Sequence, residues 1–539
     1  MGMEYKDKFL SALRDKLPVL VLLYALAFAL ALGVANLVFG DLNQDEGWYL
    51  YAAQNFARGA KPYKDYFFTQ GPVMPAVYAS ASKLWSPFGV IGGRAFTFAL
   101  GFFGAVGAGL FAAQQFPRGQ RLAPWTITFA LTACGVYHSY FTVIPKTYAL
   151  SSLLLVLGCG ALTQSHPGHS KRLAFTAGVF FALAAATRVS MGAGAVAAGI
   201  WLLVQHRRRP WQWLAFATGG VLGLLLFFGL SWHAAWDQWL FANTFHAGRE
   251  GGGLMFAAGS VARLLRGYFP LCAVGVVAAF LEILNRRQSK AIEGSRQPST
   301  TLDSNRNIIL WLSVAGAIFL LQLVSPFPYD DYQVPVMPLV AAAVATVLCR
   351  HFDKLPFPKP AALCFITLMV SLYAIASPNV QSWFFIRQDR FWPVMKSEPD
   401  VVKLTRVARS IPPGTLLLTQ DAYLAVAGGH RLPQGFEMGP FGYFPGLTND
   451  VAKRQHVLNK ELLKKAIVET DAPYAAFSGY AFAMQAPAMT RLPDSDRAEI
   501  FDLVAEHYDL VETVEDFGQH HTPLTLWKRK PQISKSPNP

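Results

Sequence analysis

The chain has 539 residues, of which 53% are hydrophobic and only 15% are charged. Soluble domains typically contain about 25% charged residues, and apolar runs of about 20 residues recur here, so an ordinary soluble protein is excluded. The formal net charge is +14, but the basic residues fall in short loops between apolar runs, which argues against a nucleic-acid-binding surface. The composition predicts an α-helical polytopic membrane protein.

The lengths of the apolar runs predict about eleven transmembrane helices. The first run is too long for the core of a signal peptide and is expected to be retained. The fifth and sixth are short, so they are either two helices or one helix kinked at the sequence TRVS. The predicted spans are Leu17–Phe39, Val90–Gln115, Leu122–Tyr140, Thr147–Leu162, Leu173–Thr187, Val189–Val204, Trp211–Ser231, Val261–Leu284, Ile308–Val324, Gln333–Leu348 and Ala361–Ala376.

Positive charge in the loops predicts the orientation of these spans. With an odd number of spans, every strongly basic short loop lies on one side of the membrane, which is then the cytoplasmic side together with the N-terminus. The loops 41–86 and 232–260 and the C-terminal region are expected to be extracytoplasmic. The basic loops contain Lys6, Lys8, Arg14, Lys16, Arg118, Arg121, Lys171, Arg172, Arg207, Arg208, Arg209, Arg286, Arg287, Lys290, Arg350 and Lys354.

From about residue 378 the composition becomes that of a soluble α/β domain, so we expect a membrane domain over 1–377 and a soluble extracytoplasmic domain over 378–539. Strands are predicted at LLLT, PYAAFS, LVETVEDF and PLTLWKR, and helices at VLNKELLKKAIVE and AEIFDLVAEHY. The aromatic, loop-rich segment Ala427–Gly446 is expected to cover the membrane site or to contact an acceptor.

The cysteines give no sign of a disulfide framework, because all five lie in or at the end of apolar spans. They are Cys134, Cys159, Cys272, Cys349 and Cys364. No CxxC motif or Cys/His cluster is present, so the sequence gives no support for a metal site, and no cofactor is predicted with certainty.

Two adjacent carboxylates, Asp45 and Glu46, follow the first span directly and open the polar loop 41–89. On a helix they point in different directions, so one can act as a general base while the other holds an acceptor. The alternative interpretation is a helix N-terminus, where Asp41 or Asn43 is the cap and the two acids sit in the first turn. The two interpretations are compatible.

The helix predicted after these acids, from about Glu46 to Arg58, has an apolar face that includes Tyr49 and Phe56. This pattern is typical of an amphipathic helix that lies in the membrane interface. A second interfacial helix is predicted over Pro72–Trp85.

The segment PYKDYFFTQGP lies between these two helices and carries Tyr63, Asp65 and Gln70. Its carboxylate, phenol and amide groups suit a sugar or a phosphate, as does Tyr49. An equally weighted alternative is a structured loop whose polar groups satisfy each other.

Cations also recur at the outer ends of spans, where ionisable groups are costly and indicate function. Lys146, which is followed by Tyr148, and Arg188 are candidates for binding a lipid phosphate. In the loop 232–253, Arg249 is a phosphate candidate and His246 a weaker one, on what could be a mobile lid. At PYDDYQ, sugar hydroxyls or an amine could bind to Asp330, Asp331, Tyr332 and Gln333. An equally weighted alternative is that this segment forms a turn and a helix cap.

A long first span, then DE at the start of an extracytoplasmic helix, then PYxDYxxxxGP and about ten further spans resemble the polytopic C-type glycosyltransferases. The pattern is most similar to bacterial relatives of protein O-mannosyltransferases, including the aminoarabinose and galacturonic acid transferases of lipid A and core oligosaccharide. The resemblance implies a bacterial plasma-membrane enzyme. It would transfer a sugar, with inversion, from a polyprenyl phosphate to a lipid, glycan or protein acceptor outside the cytoplasm.

By this resemblance Asp45 is the general base and Glu46 positions the base or the acceptor. The sequence departs from the family at two places. Thr147 stands where several relatives have an acid, which argues against a metal-binding pair, and Gln70 stands where aminoarabinose transferases have a lysine. The competing hypotheses are a transporter or flippase of lipids or sugars and a non-enzymatic envelope assembly protein.

Overall fold

The computed structural model describes most of the chain, with short gaps. The described residues are 2–164, 170–205, 207–244, 251–291, 299–355, 358–377, 385–387, 393–395, 398–479, 481–482 and 493–531. They form two compact units, each assembled from separate segments. Unit 1 comprises Met1–Leu37, Phe96–Phe227 and Gly252–Met395, and unit 2 comprises Val38–Ala95, Phe228–Gly251 and Lys396–Pro539.

Unit 1 is almost entirely helical, because an apolar chain in lipid must satisfy its backbone hydrogen bonds within itself. Its α-helices, some of which continue into unit 2, are Gly2–Phe39, Gly89–Ala113, Leu122–Ala133, Val136–Phe141, Thr147–Thr163, Ser170–Thr187, Gly192–Gln205, Pro210–Ser231, Gly253–Gly267, Phe269–Ala291, Ser299–Leu323, Met337–Arg350 and Lys359–Ala376. Its 3₁₀ turns are Arg118–Gln120, Val189–Met191, Asp330–Val336 and Phe352–Lys354. Two short antiparallel strands, β1 (Phe385–Arg387) and β2 (Pro393–Met395), follow.

Seven helices within the described residues are long and apolar enough to cross a bilayer. They are Lys16–Phe39, Ser82–Ala113, Pro210–Ser231, Phe269–Arg287, Ser304–Leu323, Asp330–Arg350 and Lys359–Ala376, and Thr147–Thr163 and Val189–Gln205 are shorter apolar helices. The predicted number of about eleven spans is therefore not confirmed.

Two predicted spans are wrong as continuous helices. The predicted span Leu122–Tyr140 is interrupted at Gly135, whose backbone is extended between two helices; glycine makes such a break inexpensive. The predicted span Val261–Leu284 is interrupted at Tyr268, two residues before Pro270. Proline lacks the backbone N–H that a continuous helix needs and disfavours a helical residue before it.

Unit 2 contains a four-stranded sheet. Its strands are β3 (Leu417–Thr419), β4 (Tyr474–Ser478), β5 (Tyr508–Phe517) and β6 (Thr522–Arg529), in the order β3-β4-β6-β5. The pair β3–β4 is parallel and the other pairs are antiparallel. All four strands predicted from the sequence are confirmed, as are the helices Lys460–Glu469 and Asp494–His507.

The remaining helices of unit 2 come from all three of its segments. They are Gln44–Ala57, Val73–Ser80, Ser82–Trp85, Trp236–Thr244, Asp400–Ser410, Ala422–Gly428 and Asn449–Arg454, with 3₁₀ turns at Ser86–Phe88 and Gly439–Gly442. We call Gln44–Ala57 the loop helix. The second predicted helix of the polar loop, Pro72–Trp85, is present with a break at Ala81.

The loop helix packs tightly against the C-terminal part of unit 2. A Cβ atom added at Gly47 would lie 2.3 Å from the backbone nitrogen of Tyr423. The hydroxyl of Tyr51 accepts a hydrogen bond from the backbone N–H of Leu432 at 2.8 Å. Every residue from Glu46 to Gln54 is buried in protein, so the prediction of an amphipathic helix that lies in the membrane interface is wrong.

Candidate active site

The N-terminus of the loop helix is fixed by a capping box. The side chain of Asn43 accepts a hydrogen bond from the backbone N–H of Asp45, at 3.1 Å. In return, the carboxylate of Glu46 accepts the backbone N–H of Asn43 at 2.8 Å. The cap satisfies backbone donors that a helix start otherwise leaves unpaired, and it fixes the direction of the first turn. Of the two caps predicted from the sequence, Asn43 is confirmed.

Glu46 is also half of a buried ion pair. Arg94 donates from Nε to Glu46 Oε2 and from Nη2 to Oε1, both at 2.6 Å. Its remaining donors reach the backbone carbonyls of Gly40 and Asp41, at 3.1 and 2.9 Å. Glu46 and Arg94 are 0% and 1% exposed. A two-bond guanidinium–carboxylate contact fixes orientation as well as distance, so Arg94 ties the end of the first helix to the first turn of the loop helix.

Asp45 differs from its neighbour because its side chain is only partly buried. Its Oδ1 accepts a hydrogen bond from the indole N–H of Trp48, at 3.3 Å. The ring of Trp48 stacks on Tyr49 at 4.1 Å between centroids and meets Phe441 at 5.6 Å. A partly exposed carboxylate on a rigid first turn, oriented by one aromatic donor, is chemically suited to accept a proton.

The polar loop after the loop helix is largely self-satisfied. Tyr63 donates its hydroxyl to the backbone carbonyl of Gln70 at 2.6 Å, and Tyr66 donates to the carbonyl of Ala52 at 3.2 Å. Asp65 is exposed and accepts the backbone N–H of Lys61 at 2.8 Å. These contacts favour the interpretation of a structured loop, and sugar binding by Tyr63, Asp65 and Gln70 stays a prediction.

A second group of predicted residues meets within unit 1. We call Lys146, Tyr148, Arg188, Asp331 and Tyr332 the cation cluster. Asp331 Oδ2 accepts the hydroxyl of Tyr148 at 2.9 Å and lies 3.4 Å from Lys146 Nζ. The side chains of Lys146 and Asp331 are 9% and 14% exposed. The cluster combines two cations with one carboxylate, so its formal charge is positive.

Local backbone geometry places these groups. Lys146 is the extended residue before the helix Thr147–Thr163, and Arg188 is the extended residue between Ser170–Thr187 and the turn Val189–Met191. The guanidinium of Arg188 lies 4.3 Å from the ring centroid of Tyr332, which is a cation–π distance. Its Nη1 donates to the hydroxyl of Thr147 at 3.4 Å.

The other two predicted residues of the PYDDYQ segment behave differently from Asp331. Asp330 accepts a hydrogen bond from Arg263 Nε at 3.0 Å. Gln333 is 4% exposed, and among the described residues its buried Oε1 has no hydrogen-bond partner. Its predicted role in sugar binding stays a prediction.

Arg94 and Arg263 were not identified from the sequence. Arg94 lies inside the predicted span Val90–Gln115, and a lone arginine in an apolar span was the signal that could have identified it. Arg263 lies at the start of a predicted span, where it resembled an ordinary flanking charge. His246 and Arg249 fall outside the described residues, so their predicted roles stay predictions.

The described residues contain no group of three or more His, Cys, Asp or Glu side chains arranged to hold a metal ion. The carboxylate of Glu46 is engaged by Arg94 and by the backbone N–H of Asn43.

No protein-family model matches the chain, and no curated protein matches it in sequence. Among solved structures, two crystal structures of ArnT from Cupriavidus metallidurans, one apo and one bound to undecaprenyl phosphate, share its fold. Each has a TM-score of 0.60 and 14% sequence identity, covering 94% of this chain and 97% of ArnT. The oligosaccharyltransferase AglB from Archaeoglobus fulgidus is a more distant match, with a TM-score of 0.46 and 10% identity over 86% of this chain and 70% of AglB.

The shared fold extends over nearly the whole of both chains, so it includes the helical part and the C-terminal sheet. Together with the apolar helices, it identifies an integral membrane protein. The fold expected from the resemblance is confirmed.

Proposed function

We propose, from the fold that the chain shares with the polytopic C-type glycosyltransferases, that it is an inverting glycosyltransferase with a polyprenyl-phosphate-linked sugar as donor. The observation that carries the proposal is the likeness to ArnT, which has been crystallised with undecaprenyl phosphate. It is supported by the residues themselves, since one group offers a base and the other offers cations for a phosphate. The acceptor would be a lipid, glycan or protein outside the cytoplasm.

Asp45 is the general base in this proposal. Its carboxylate takes the proton of the acceptor hydroxyl while that oxygen forms a bond to the anomeric carbon of the sugar. The bond between the anomeric carbon and the phosphate oxygen breaks on the opposite face, so the configuration inverts. The polyprenyl phosphate leaves with the bonding electrons, and Asp45 returns its proton to solvent.

Lys146 and Arg188 bind the phosphate in this proposal. The leaving phosphate gains negative charge as the glycosidic bond breaks, and fixed cations stabilise that charge best when water is largely excluded. The low exposure of Lys146 meets this condition. Tyr148 and Tyr332 hold the two cations in place through a shared carboxylate and a cation–π contact.

Glu46 has a positioning role in this proposal. Because Arg94 and the backbone of Asn43 occupy its carboxylate, Glu46 acts through the orientation of the first turn, from which Asp45 projects. This assigns different tasks to two adjacent acids.

The test is transfer by purified full-length protein in lipid nanodiscs, with a radiolabelled polyprenyl-phosphate sugar and membrane extract as the source of acceptor. Asp45→Asn is expected to lower the rate of transfer by at least about 100-fold, as expected for loss of a general base, with an unchanged melting temperature. Asp502→Asn, an exposed aspartate of the C-terminal domain, is the matched control.

Near-normal turnover by Asp45→Asn would overturn the assignment of the base. Substrate-dependent flux in proteoliposomes without covalent transfer would instead support a transporter or flippase.

A further inference from the structure

A surface cavity of about 440 Å³ lies within unit 2, and the functions proposed so far do not use it. Its walls include the end of one helix, Asn449–Arg454, and one face of the next, Lys460–Glu469. The lining residues are Pro433, Gln434, Gly435, Lys453, His456, Val457, Leu458, Leu462, Lys465, Ala466, Glu469 and Thr470. Pockets of about 300–1,000 Å³ are the size that holds small ligands. This one has room for one or two sugar rings.

The charge at the rim of the cavity is positive. Lys453 and Lys465 line it, with Glu469 as the opposing acid. Lys465 Nζ lies 3.5 Å from the Glu469 carboxylate, and both side chains are 62% exposed, so water screens that pair strongly. Neighbouring Lys464 is instead engaged by Glu499, outside the cavity. Arg454 and Lys460 of the same segment are likewise paired with acids, Asp237 and Asp496, so the rim charge comes from Lys453 and Lys465.

The inner wall supplies neutral hydrogen-bonding groups and an apolar floor. Burial lowers the pKa of His456, so its ring is neutral near pH 7. The ring nitrogens lie 2.9 Å from the side-chain amide of Gln434 and 3.2 Å from that of Gln238. Leu458 and Leu462 form part of the floor. A charged sugar has an apolar C–H face, hydroxyls and an anionic group. These suit the apolar floor, the neutral hydrogen-bonding groups and the cationic rim of the cavity, respectively.

One lining residue of the cavity, His456, lies near the polar loop that follows the loop helix. The charge of Asp65, in that loop, acts on the ring of His456. Gln238 comes from the helix Trp236–Thr244, in the segment predicted from the sequence as a lid. Both of these neighbours of His456 therefore belong to segments with predicted roles in substrate binding.

We propose that this cavity binds an anionic saccharide, a sugar bearing a phosphate or carboxylate group, that belongs to the acceptor. The site holds the acceptor by a sugar that does not react, so it contributes to selection of the acceptor and not to bond formation. This proposal rests on the proposed glycosyltransferase function, because only a transferase has an acceptor to select.

The test is a ligand-detected NMR titration of full-length protein in nanodiscs of zwitterionic lipid. The probes are glucose 6-phosphate, glucuronate, glucose and inorganic phosphate. We expect the two charged sugars to bind at least about tenfold more tightly than glucose or inorganic phosphate, because only they use both the rim and the floor. Equal binding of inorganic phosphate would overturn the assignment to a saccharide.

Variants locate the binding. Lys453→Gln and Lys465→Gln are each expected to weaken binding of glucose 6-phosphate about threefold to tenfold. Glu469→Gln is expected to tighten it, since it removes the opposing charge. Lys464→Gln makes the same change in charge one residue from Lys465 and is expected to have no effect. Equal effects of Lys464→Gln and Lys465→Gln would show general surface electrostatics and overturn the site.

The binding readout is independent of transfer. Asp45→Asn is expected to retain full affinity for glucose 6-phosphate, and saccharide binding that survives in this variant supports the cavity even if no transfer is ever observed. Loss of binding in Asp45→Asn would overturn the separation of the cavity from the chemistry. An absence of charged-sugar binding by a protein with measurable transfer would overturn the cavity proposal and leave the proposed function intact.

Discussion

Arg94 makes the first turn of the loop helix depend on a single buried side chain. Removing one partner of a buried ion pair leaves an unpaired charge and costs about 3–5 kcal/mol. Arg94→Gln is therefore expected to lower the free energy of unfolding by that amount. The double variant Arg94→Gln/Glu46→Gln, which removes both charges, is expected to be more stable than Arg94→Gln alone in thermal unfolding in detergent.

Arg94→Lys separates positioning from stability. Lysine keeps the charge but cannot make two parallel bonds to Glu46. We expect a lower kcat with an unchanged KM for the donor, because the donor phosphate is assigned to other residues. A change in KM alone, with normal kcat, would contradict a positioning role for Arg94.

Asp331 occupies the groups that we assign to the donor phosphate. It lies against Lys146 and accepts the hydroxyl of Tyr148, so an incoming phosphate competes with it. Asp331→Asn is expected to lower the KM for the donor about threefold to tenfold, and Lys146→Met to raise it by a similar factor. Initial rates over a range of donor concentrations measure both. A higher KM in Asp331→Asn would indicate that Asp331 contacts the substrate itself.

Glu437 makes the stability of unit 2 depend on pH. Burial raises its pKa from 4.5 to about 7. Between these values the unfolded chain has lost the proton and the folded chain still binds it, so stability falls as pH rises, by about 1.4 kcal/mol per pH unit. Glu437→Gln is expected to flatten the decrease in melting temperature between pH 5 and pH 7. An unchanged pH profile in that variant would assign the dependence to another group.

At the scale of elements, the packing of the loop helix depends on the close approach of Gly47 to the backbone of Tyr423. Replacing a helical glycine by alanine normally adds about 1 kcal/mol of helix stability. At Gly47, however, the new methyl group would lie 2.3 Å from the backbone of Tyr423, and backbone cannot move aside easily. Gly47→Ala is expected to destabilise the protein by about 1–3 kcal/mol, measured as melting temperature. Gly316→Ala, in a helix with open space around it, is the matched control and is expected to be neutral or stabilising.

The sequence identified elements well where one local signal dominated. The strands of the C-terminal sheet followed from their composition and turns, and the cap of the loop helix followed from Asn43 and the acids after it. It failed where the outcome depended on distant partners. The sequence of the loop helix predicts an amphipathic helix. In the structure, however, residues such as Leu432 and Phe441 cover the side that was expected to be exposed. No periodicity within fourteen residues reports a partner almost four hundred residues away.

The candidate site shows the same limit. Lys146, Arg188 and Asp331 were identified because ionisable groups beside apolar spans are costly, and the structure brings them together. Arg94 could have been singled out as a lone arginine in an apolar span, but its partner could not, because Glu46 precedes it by 48 residues and an ion pair at that separation leaves no mark in the sequence.

At the scale of the whole molecule, unit 2 depends on both ends of the chain. A protein truncated after residue 377 would retain the loop helix but lose the residues that bury it. We expect such a variant to have no transfer activity and increased proteolysis within residues 41–95. Normal protection there would show that the loop folds without its C-terminal partners.

The assembly of unit 2 from separate segments of the chain also has a consequence during synthesis. Its first segment ends at residue 95 and its last begins at residue 396, so about 300 residues are made in between. At about 5–20 residues per second this takes about 15 to 60 s. For that interval the nascent chain carries Asp45 on a helix whose later neighbours have not been translated. The contact between Gly47 and the backbone of Tyr423 can therefore form only late in synthesis.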